Sequence, residues 1–163
     1  MLNRKIGENI SILILLFLVV ILLASCSPAE QVIEDIDISK LEEEIYSNLD
    51  LMSVEEGNGE DLERFYKIDP NDLLEYFTYT PKTNLEASET LVLKVEDSKD
   101  LKEIKAKLEN RIESQDESFK DYLPDEHYLI EKSILKTKGD YILYSVSENN
   151  DEIEDVFNRF FKK

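Results

Sequence analysis

The chain has little of several residue types on which common functional sites depend. Its 163 residues include one cysteine, one histidine, four glycines, four prolines and no tryptophan. A single cysteine excludes a disulfide framework, so a hydrophobic core has to stabilise the fold. With His127 as the only imidazole, the sequence has no spaced Cys/His set for zinc and no convincing nucleophile–base pair. We therefore predict a non-enzymatic protein with no catalytic residue, no metal site and no cofactor.

Basic residues are also scarce, with 19 Lys and Arg against 37 Asp and Glu and a formal net charge of −18. This balance excludes nucleic acid as a partner, because nucleic-acid binding needs clustered cations. It also disfavours flat contact with anionic lipid head groups. The acidity is typical of a soluble, self-repelling exported surface. Weak binding of a divalent cation or a cationic partner is the alternative interpretation.

The only long apolar run lies near the N-terminus, at residues 11–23, after the basic residues Arg4 and Lys5. The run is shorter than the roughly 20 residues that a membrane-spanning helix needs. Two small residues and then Cys26 follow it, which is the order of a signal peptide. The ending Leu-Ala-Ser-Cys resembles the lipobox of bacterial lipoproteins. That resemblance implies cleavage before Cys26 and lipidation of its thiol.

These boundaries predict a lipoprotein signal peptide over residues 1–25, a lipidated Cys26 with a tether over 26–37, and a single domain over 38–163. An uncleaved anchor with an unmodified Cys26 is the alternative. We expect the lipid on Cys26 to attach the chain to a membrane, and the protein or small-ligand partner is not specified by the sequence. The expected location is the bacterial cell membrane, with the domain on its extracytoplasmic side.

Hydrophobic periodicity predicts an α+β domain. A first helix, with a capping box from Ser39 to Glu42, is followed by two β-hairpins. A long helix separates the hairpins, and a C-terminal helix presents Val156, Phe157 and Phe160 on one face. The predicted helices cover 39–50, 97–118, 124–131 and 150–161, and the predicted strands cover 73–80, 90–95, 133–136 and 141–146. The predicted order is an N-terminal helix and then β-β-α-β-β-α, with helices on one face of a mainly antiparallel four-stranded sheet.

Two polar residues of the long helix are candidate functional residues. At 100° per residue, Gln115 falls inside the apolar stripe and Arg111 falls at its edge. A glutamine that faces a core has to be hydrogen-bonded, or it costs about 1–3 kcal/mol. Arg111 and Gln115 could hold the turn at residues 119–124, with Asp121 or Asp125 as an ion partner. Alternatively, Arg111, Gln115 and Tyr122 line a small ligand-binding pocket.

Several segments occur together in an order that resembles one family of small bacterial lipoproteins, catalogued as domain of unknown function 4358. The segments are Leu-Glu-Arg-Phe-Tyr-Lys-Ile-Asp at 62–69, Ala-Ser-Glu at 87–89, Arg-Ile-Glu-Ser-Gln at 111–115, Asp-Tyr-Leu-Pro at 121–124 and Lys-Gly-Asp-Tyr at 138–141. The resemblance implies a glycine where this chain has Lys67. It supports export and lipidation, and it implies no activity, substrate or cofactor.

The leading functional hypothesis is a lipid-anchored, extracytoplasmic interaction or binding module that is not an enzyme. The alternative is a lipoprotein that binds a small ligand or a cation in a polar pocket near Arg111 and Gln115. The sequence names neither the ligand nor the protein partner.

Overall fold

The computed structural model describes residues 35–97 and 99–162. The predicted signal peptide and Cys26 lie outside these residues. None of the helices in the described ranges is long and apolar enough to cross a membrane. The described helices are α1 (Ile38–Tyr46), α2 (Gly59–Asp61), α3 (Leu101–Phe119), α4 (Pro124–Glu131) and α5 (Asn150–Phe160), and the strands are β1 (Val54–Glu56), β2 (Leu73–Pro81), β3 (Glu89–Val95), β4 (Ile134–Lys138) and β5 (Tyr141–Val146).

The strands form one antiparallel sheet in the order β1-β2-β3-β5-β4. The α+β class is therefore confirmed, and both predicted hairpins are present. The predicted number of four strands is wrong, because β1 adds a fifth strand at the edge, where Glu55 lies opposite Thr80. Two exposed glutamates and the following Gly57 made this segment resemble a loop. Its backbone pairs with β2 although its side chains carry almost no apolar signal.

Helices cover both faces of the sheet, and the prediction of helices on one face is wrong. Leu91 and Leu93 of β3 lie in one buried cluster with residues of α3 and α4. Val92, between them, lies in a second cluster with α1 and α5. Successive strand residues point to opposite faces, so a strand buried at nearly every position needs cover on both sides. The consecutive apolar residues at 91–93 in β3 and 141–144 in β5 reflect this arrangement.

The C-terminal helix α5 packs as its single apolar stripe predicts. Val156 and Phe157 are buried in the second cluster, and Phe160 packs against its edge. In β2, regular alternation would place Leu73 on the same face as Phe77 and Tyr79, but it lies in the other cluster. A register shift between Leu73 and Glu75 interrupts the alternation. Such an irregularity moves the preceding side chain to the opposite face.

The first helix begins earlier than predicted. Asp37 is its N-cap residue and accepts a hydrogen bond from the Lys40 amide, so the expected cap at Ser39 is wrong. Both residues are good caps, and the apolar face decides between them. Ile38, Leu41 and Ile45 are all buried, and a start at Ile38 places them on one face of the helix.

Candidate functional site

A buried carboxylate, Glu89, lies at the centre of the candidate site. It is the first residue of β3, and no part of it is exposed. Strand alternation places Glu89 on the same face as Leu91 and Leu93, beneath α3. A charged carboxylate is costly to bury unless it is paired and hydrogen-bonded. The surrounding residues therefore have to supply both a cation and donors.

Arg111 supplies the cation from α3. Its Nε donates to Glu89 Oε1 at 3.1 Å, and its Nη2 donates to Glu89 Oε2 at 2.8 Å. Two donors of one planar guanidinium thus bind both oxygens of one carboxylate, which is the strong, geometrically specific form of an ion pair. The Arg111 side chain is 18% exposed, whereas that of Glu89 is 0% exposed. Arg111 therefore connects the buried carboxylate to the surface.

Two tyrosine hydroxyls complete the shell of the carboxylate. Tyr144 of β5 donates to Glu89 Oε1 at 2.6 Å, and Tyr66 donates to Glu89 Oε2 at 3.1 Å. The rings of Tyr66 and Tyr144 also meet edge to face, with centroids 6.2 Å apart. Burial and the charge of Glu89 raise the pKa of both phenols well above the usual value of 10.0. Both hydroxyls therefore remain protonated donors at neutral pH.

The Gln115 amide provides the fifth donor when it is oriented to satisfy its neighbours. In this orientation its nitrogen donates to Glu89 Oε1 and to the Tyr144 hydroxyl, each at 3.1 Å. Its oxygen accepts from Arg111 Nη2 at 3.1 Å. We assign the amide this way because the opposite orientation directs its oxygen at the carboxylate. Glu89, Arg111, Gln115, Tyr66 and Tyr144 are referred to below as the Glu89 cluster.

The pKa of Arg111 follows from this arrangement. Burial alone would lower the pKa of its guanidinium, but the charge of Glu89 and the hydrogen bonds to it raise the pKa above the usual value. The Arg111 guanidinium is therefore cationic at neutral pH. A carboxylate that accepts five hydrogen bonds and contacts no solvent is poorly placed to remove a proton from a substrate. The buried part of the cluster is suited to positioning Arg111.

A short irregular helix positions Tyr66. The segment Leu62–Tyr66 continues α2 as a π-helical turn and ends at Lys67, whose φ of 58° lies in the left-handed region. That geometry turns Leu62 and Tyr66 into the core and leaves Phe65 near the surface. The left-handed region favours glycine, the residue that the resemblance implies at this position. In this chain a lysine adopts that conformation.

Two cavities adjoin Arg111, and Phe65 and Ser114 line both of them. The larger cavity, of about 510 Å³, lies between α3, the Leu62–Tyr66 turn and the loop that joins β2 to β3. It is also lined by Gln115 and by charged residues of both signs. The smaller cavity, of about 290 Å³, lies between α3 and residues 65–67.

The structure brings together two of the three predicted ligand-binding residues. Arg111 and Gln115 meet in the Glu89 cluster and line the larger cavity. Tyr122 is 72% exposed and lines neither cavity beside Arg111. The alternative in which Arg111 and Gln115 hold the turn with Asp121 or Asp125 is wrong, because their partners are Glu89 of β3 and Tyr144 of β5.

The remaining chemistry-bearing residue is His127. Its Nε2 lies 2.7 Å from Asp116 Oδ1, which links α4 to α3. Within residues 35–97 and 99–162, no group of three or more His, Cys, Asp or Glu side chains is arranged to hold a metal ion. His127 thus acts as a link between two helices.

Sequence reasoning did not assign roles to Glu89, Tyr66 and Tyr144. One signal was available for Glu89, since it continues the alternation of Leu91 and Leu93 and therefore falls on a core face. A charged residue on such a face needs a partner, and Arg111 at the edge of a helical stripe was the matching cation. Only the folded chain shows that three of the recognised segments, at 62–69, 87–89 and 111–115, meet in one cluster.

Comparisons with known proteins identify a family but no relative of known activity. Neither the curated proteins nor the solved structures include a match to this chain. The family model described as Domain of unknown function (DUF4358) matches residues 47–147. This range contains all five residues of the Glu89 cluster. The match covers more than half of the chain, and the chain therefore belongs to the Domain of unknown function (DUF4358) family.

Proposed function

We propose that this chain is a lipid-anchored, extracytoplasmic binding module that takes a small ligand beside Arg111 and catalyses no reaction. The observation that carries the proposal is a guanidinium held rigidly by a buried network while one edge faces two cavities. Binding sites commonly combine a concave surface with a few fixed polar groups. A preorganised group loses little conformational entropy when a ligand arrives. Arg111 meets both conditions.

The chemistry of the Glu89 cluster supports binding over catalysis. Its carboxylate is saturated with donors, and its two phenols are held protonated. General acid–base catalysis instead uses a group that reaches the substrate and has a pKa near the working pH. The larger cavity, of about 510 Å³, falls within the range of about 300–1,000 Å³ that is usual for small-ligand sites.

Blocking the cavities tests the binding proposal. Ser114 lines both cavities, and its hydroxyl has no hydrogen-bond partner among the described residues. Ser114→Leu therefore fills the space without breaking a bond described here. Glu113→Leu places the same side chain on the exposed neighbouring position and serves as the control. The assay is thermal unfolding with pooled dicarboxylates, amino acids, sugars and nucleosides.

We expect at least one pool to raise the melting temperature of the native chain and of Glu113→Leu, but not that of Ser114→Leu. A ligand present at 100 times its Kd stabilises a protein by about 2.7 kcal/mol. If every pool leaves the native chain unchanged, small-ligand binding is refuted for these classes. If Ser114→Leu responds like the native chain, the ligand binds elsewhere.

Export and lipidation form the second part of the proposal. The leader has a basic start, an apolar run and the ending Leu-Ala-Ser before Cys26. We expect mass spectrometry of the membrane fraction to find an acylated Cys26 at the mature N-terminus. Cys26→Ser should abolish acylation. In cells whose outer layers have been opened and whose cytoplasmic membrane is intact, we expect added protease to digest the domain, because it lies on the extracytoplasmic side. Recovery of an unmodified chain that begins at Met1 as the main species would refute this part.

A further inference from the structure

One face of α3 carries four polar residues toward the smaller cavity. Lys107, Asn110, Arg111 and Ser114 all line it, and their spacing of three, one and three residues places them on one side of a helix. Residues 65–67 form the opposite wall. The cavity is therefore an open cleft between one face of α3 and the turn that ends at the left-handed Lys67.

The charge of this cavity is opposite to that of the chain. Three cations line it, from Lys67, Lys107 and Arg111, and no carboxylate does so among the described residues. The whole chain has a formal net charge of −18. Repulsion from distant surface carboxylates is screened beyond about 8–10 Å at physiological salt. The charge of Arg111 is balanced by Glu89, so Lys67 and Lys107 supply the positive charge of the cavity and Arg111 supplies N–H donors.

Unused donors also converge here. The Nε and Nη2 groups of Arg111 donate to Glu89 and Gln115, and its Nη1 has no acceptor among the residues that the structure describes. The side chains of Asn110 and Ser114 likewise have no hydrogen-bond partner within residues 35–97 and 99–162. Guanidinium N–H groups suit the oxygens of carboxylates and phosphates.

The two lysines remain available to a ligand. Lys107 pairs with Glu103 at 2.9 Å, but Glu103 is an exposed residue one turn away on the same helix, and such pairs contribute little. The Lys67 Nζ donates to the Arg64 carbonyl at 2.9 Å, which leaves two of its three N–H groups. Neither contact neutralises the cavity.

We infer that the smaller cavity is an oxyanion site that binds the phosphate or carboxylate group of a small molecule between Lys67, Lys107 and Arg111. This inference rests on the ligand-binding function proposed above and names its ligand class. The volume of about 290 Å³ suits a small anionic group and a short substituent. The Phe65 ring, whose centroid lies 5.2 Å from the Arg111 guanidinium carbon, forms an apolar wall beside that group.

Calorimetric titration of the full-length chain in a nonionic detergent tests the inference. The titrants are sodium phosphate, sodium succinate and sodium chloride at matched ionic strength. We expect saturable heat with phosphate or with succinate, and none with chloride. Binding of phosphate alone assigns a phosphate group, and binding of succinate alone assigns a carboxylate. No saturable heat with either oxyanion would overturn the inference.

Charge-removing variants locate the site. Lys107→Gln and Lys67→Gly should each weaken oxyanion binding about tenfold, which is the loss expected for one charge-assisted hydrogen bond. Lys102→Gln removes the same charge from an exposed position of α3 outside the cavity and should leave affinity unchanged. Equal weakening by Lys102→Gln and Lys107→Gln would overturn the inference, because it would show only a general charge effect.

The calorimetric and thermal-unfolding results together separate oxyanion binding from ligand binding in general. If a neutral ligand from the pools binds and Ser114→Leu abolishes that binding while phosphate and succinate give no heat, the binding function stands and the oxyanion inference falls. Because Lys67→Gly also changes the backbone freedom of the turn, the comparison of Lys107→Gln with Lys102→Gln decides the outcome if the two lysine variants disagree.

Discussion

Removing the cation of the Glu89 cluster should be among the most destabilising single substitutions in the chain. Arg111→Leu leaves a carboxylate that is 0% exposed without the partner that binds both of its oxygens. Breaking a buried pair in this way costs about 3–5 kcal/mol. Total stabilities of domains are about 5–15 kcal/mol, so the substitution removes a large share of the total.

Because Glu89 is more deeply buried than Arg111, we expect the two single substitutions to differ in their cost to the free energy of unfolding. Glu89→Gln leaves an unpaired guanidinium that is already 18% exposed, and water can partly solvate it. We expect a cost at the low end of the range, about 3 kcal/mol, and a larger cost for Arg111→Leu. The double variant should cost less than the sum by up to about 3 kcal/mol, because neither change then leaves a charge unpaired.

The assay is urea unfolding of residues 27–163 followed by far-ultraviolet circular dichroism. Arg159→Leu is the matched control, since Arg159 pairs with Glu44 at 2.9 Å and the two side chains are 57% and 50% exposed. An exposed pair contributes at most about 1 kcal/mol. Equal destabilisation by Arg159→Leu and Arg111→Leu would refute the argument that burial, and not pairing alone, sets the energy of this ion pair.

Three further predictions concern other parts of the fold. Lys67→Gly should raise the free energy of unfolding in urea by about 0.5–1 kcal/mol, because relief of the backbone strain at positive φ exceeds the entropy cost of glycine. Lys67→Ala keeps that strain and should give no gain. Phe157→Ala should cost about 3–5 kcal/mol and Phe160→Ala clearly less, since Phe157 is fully buried and Phe160 lies at the cluster edge; equal melting temperatures for the two variants would contradict this packing. The free energy of unfolding should be constant just below pH about 10 and should fall above it, because Tyr66 and Tyr144 ionise near their usual pKa in the unfolded chain, whereas burial raises the pKa of both in the folded chain. Replacing both tyrosines by Phe should make this fall less steep, as measured by chemical unfolding at several pH values.

Local sequence patterns determined the elements of this protein. The apolar stripes of α3 and α5, the hairpin turn around Gly139 and the alternation of Leu91 and Leu93 each depend on contacts within a few residues, so their periods are visible in the chain itself. The same geometry identified Gln115 as a polar residue on a core face that needed a partner. The charge balance likewise needs only composition.

The tertiary structure decided which elements meet. Edge strand β1 is held by backbone pairing, and its exposed glutamates have no periodicity to reveal it. Whether both faces of the sheet are buried depends on where α1 and α5 pack, and those contacts join residues far apart in the sequence. The partner of Arg111 was expected on the turn after its own helix, but it is Glu89, 22 residues earlier and on a strand. Sequence identified residues that required partners, whereas only packing brought the strand carboxylate, the helix cation and the two phenols within hydrogen-bond distance.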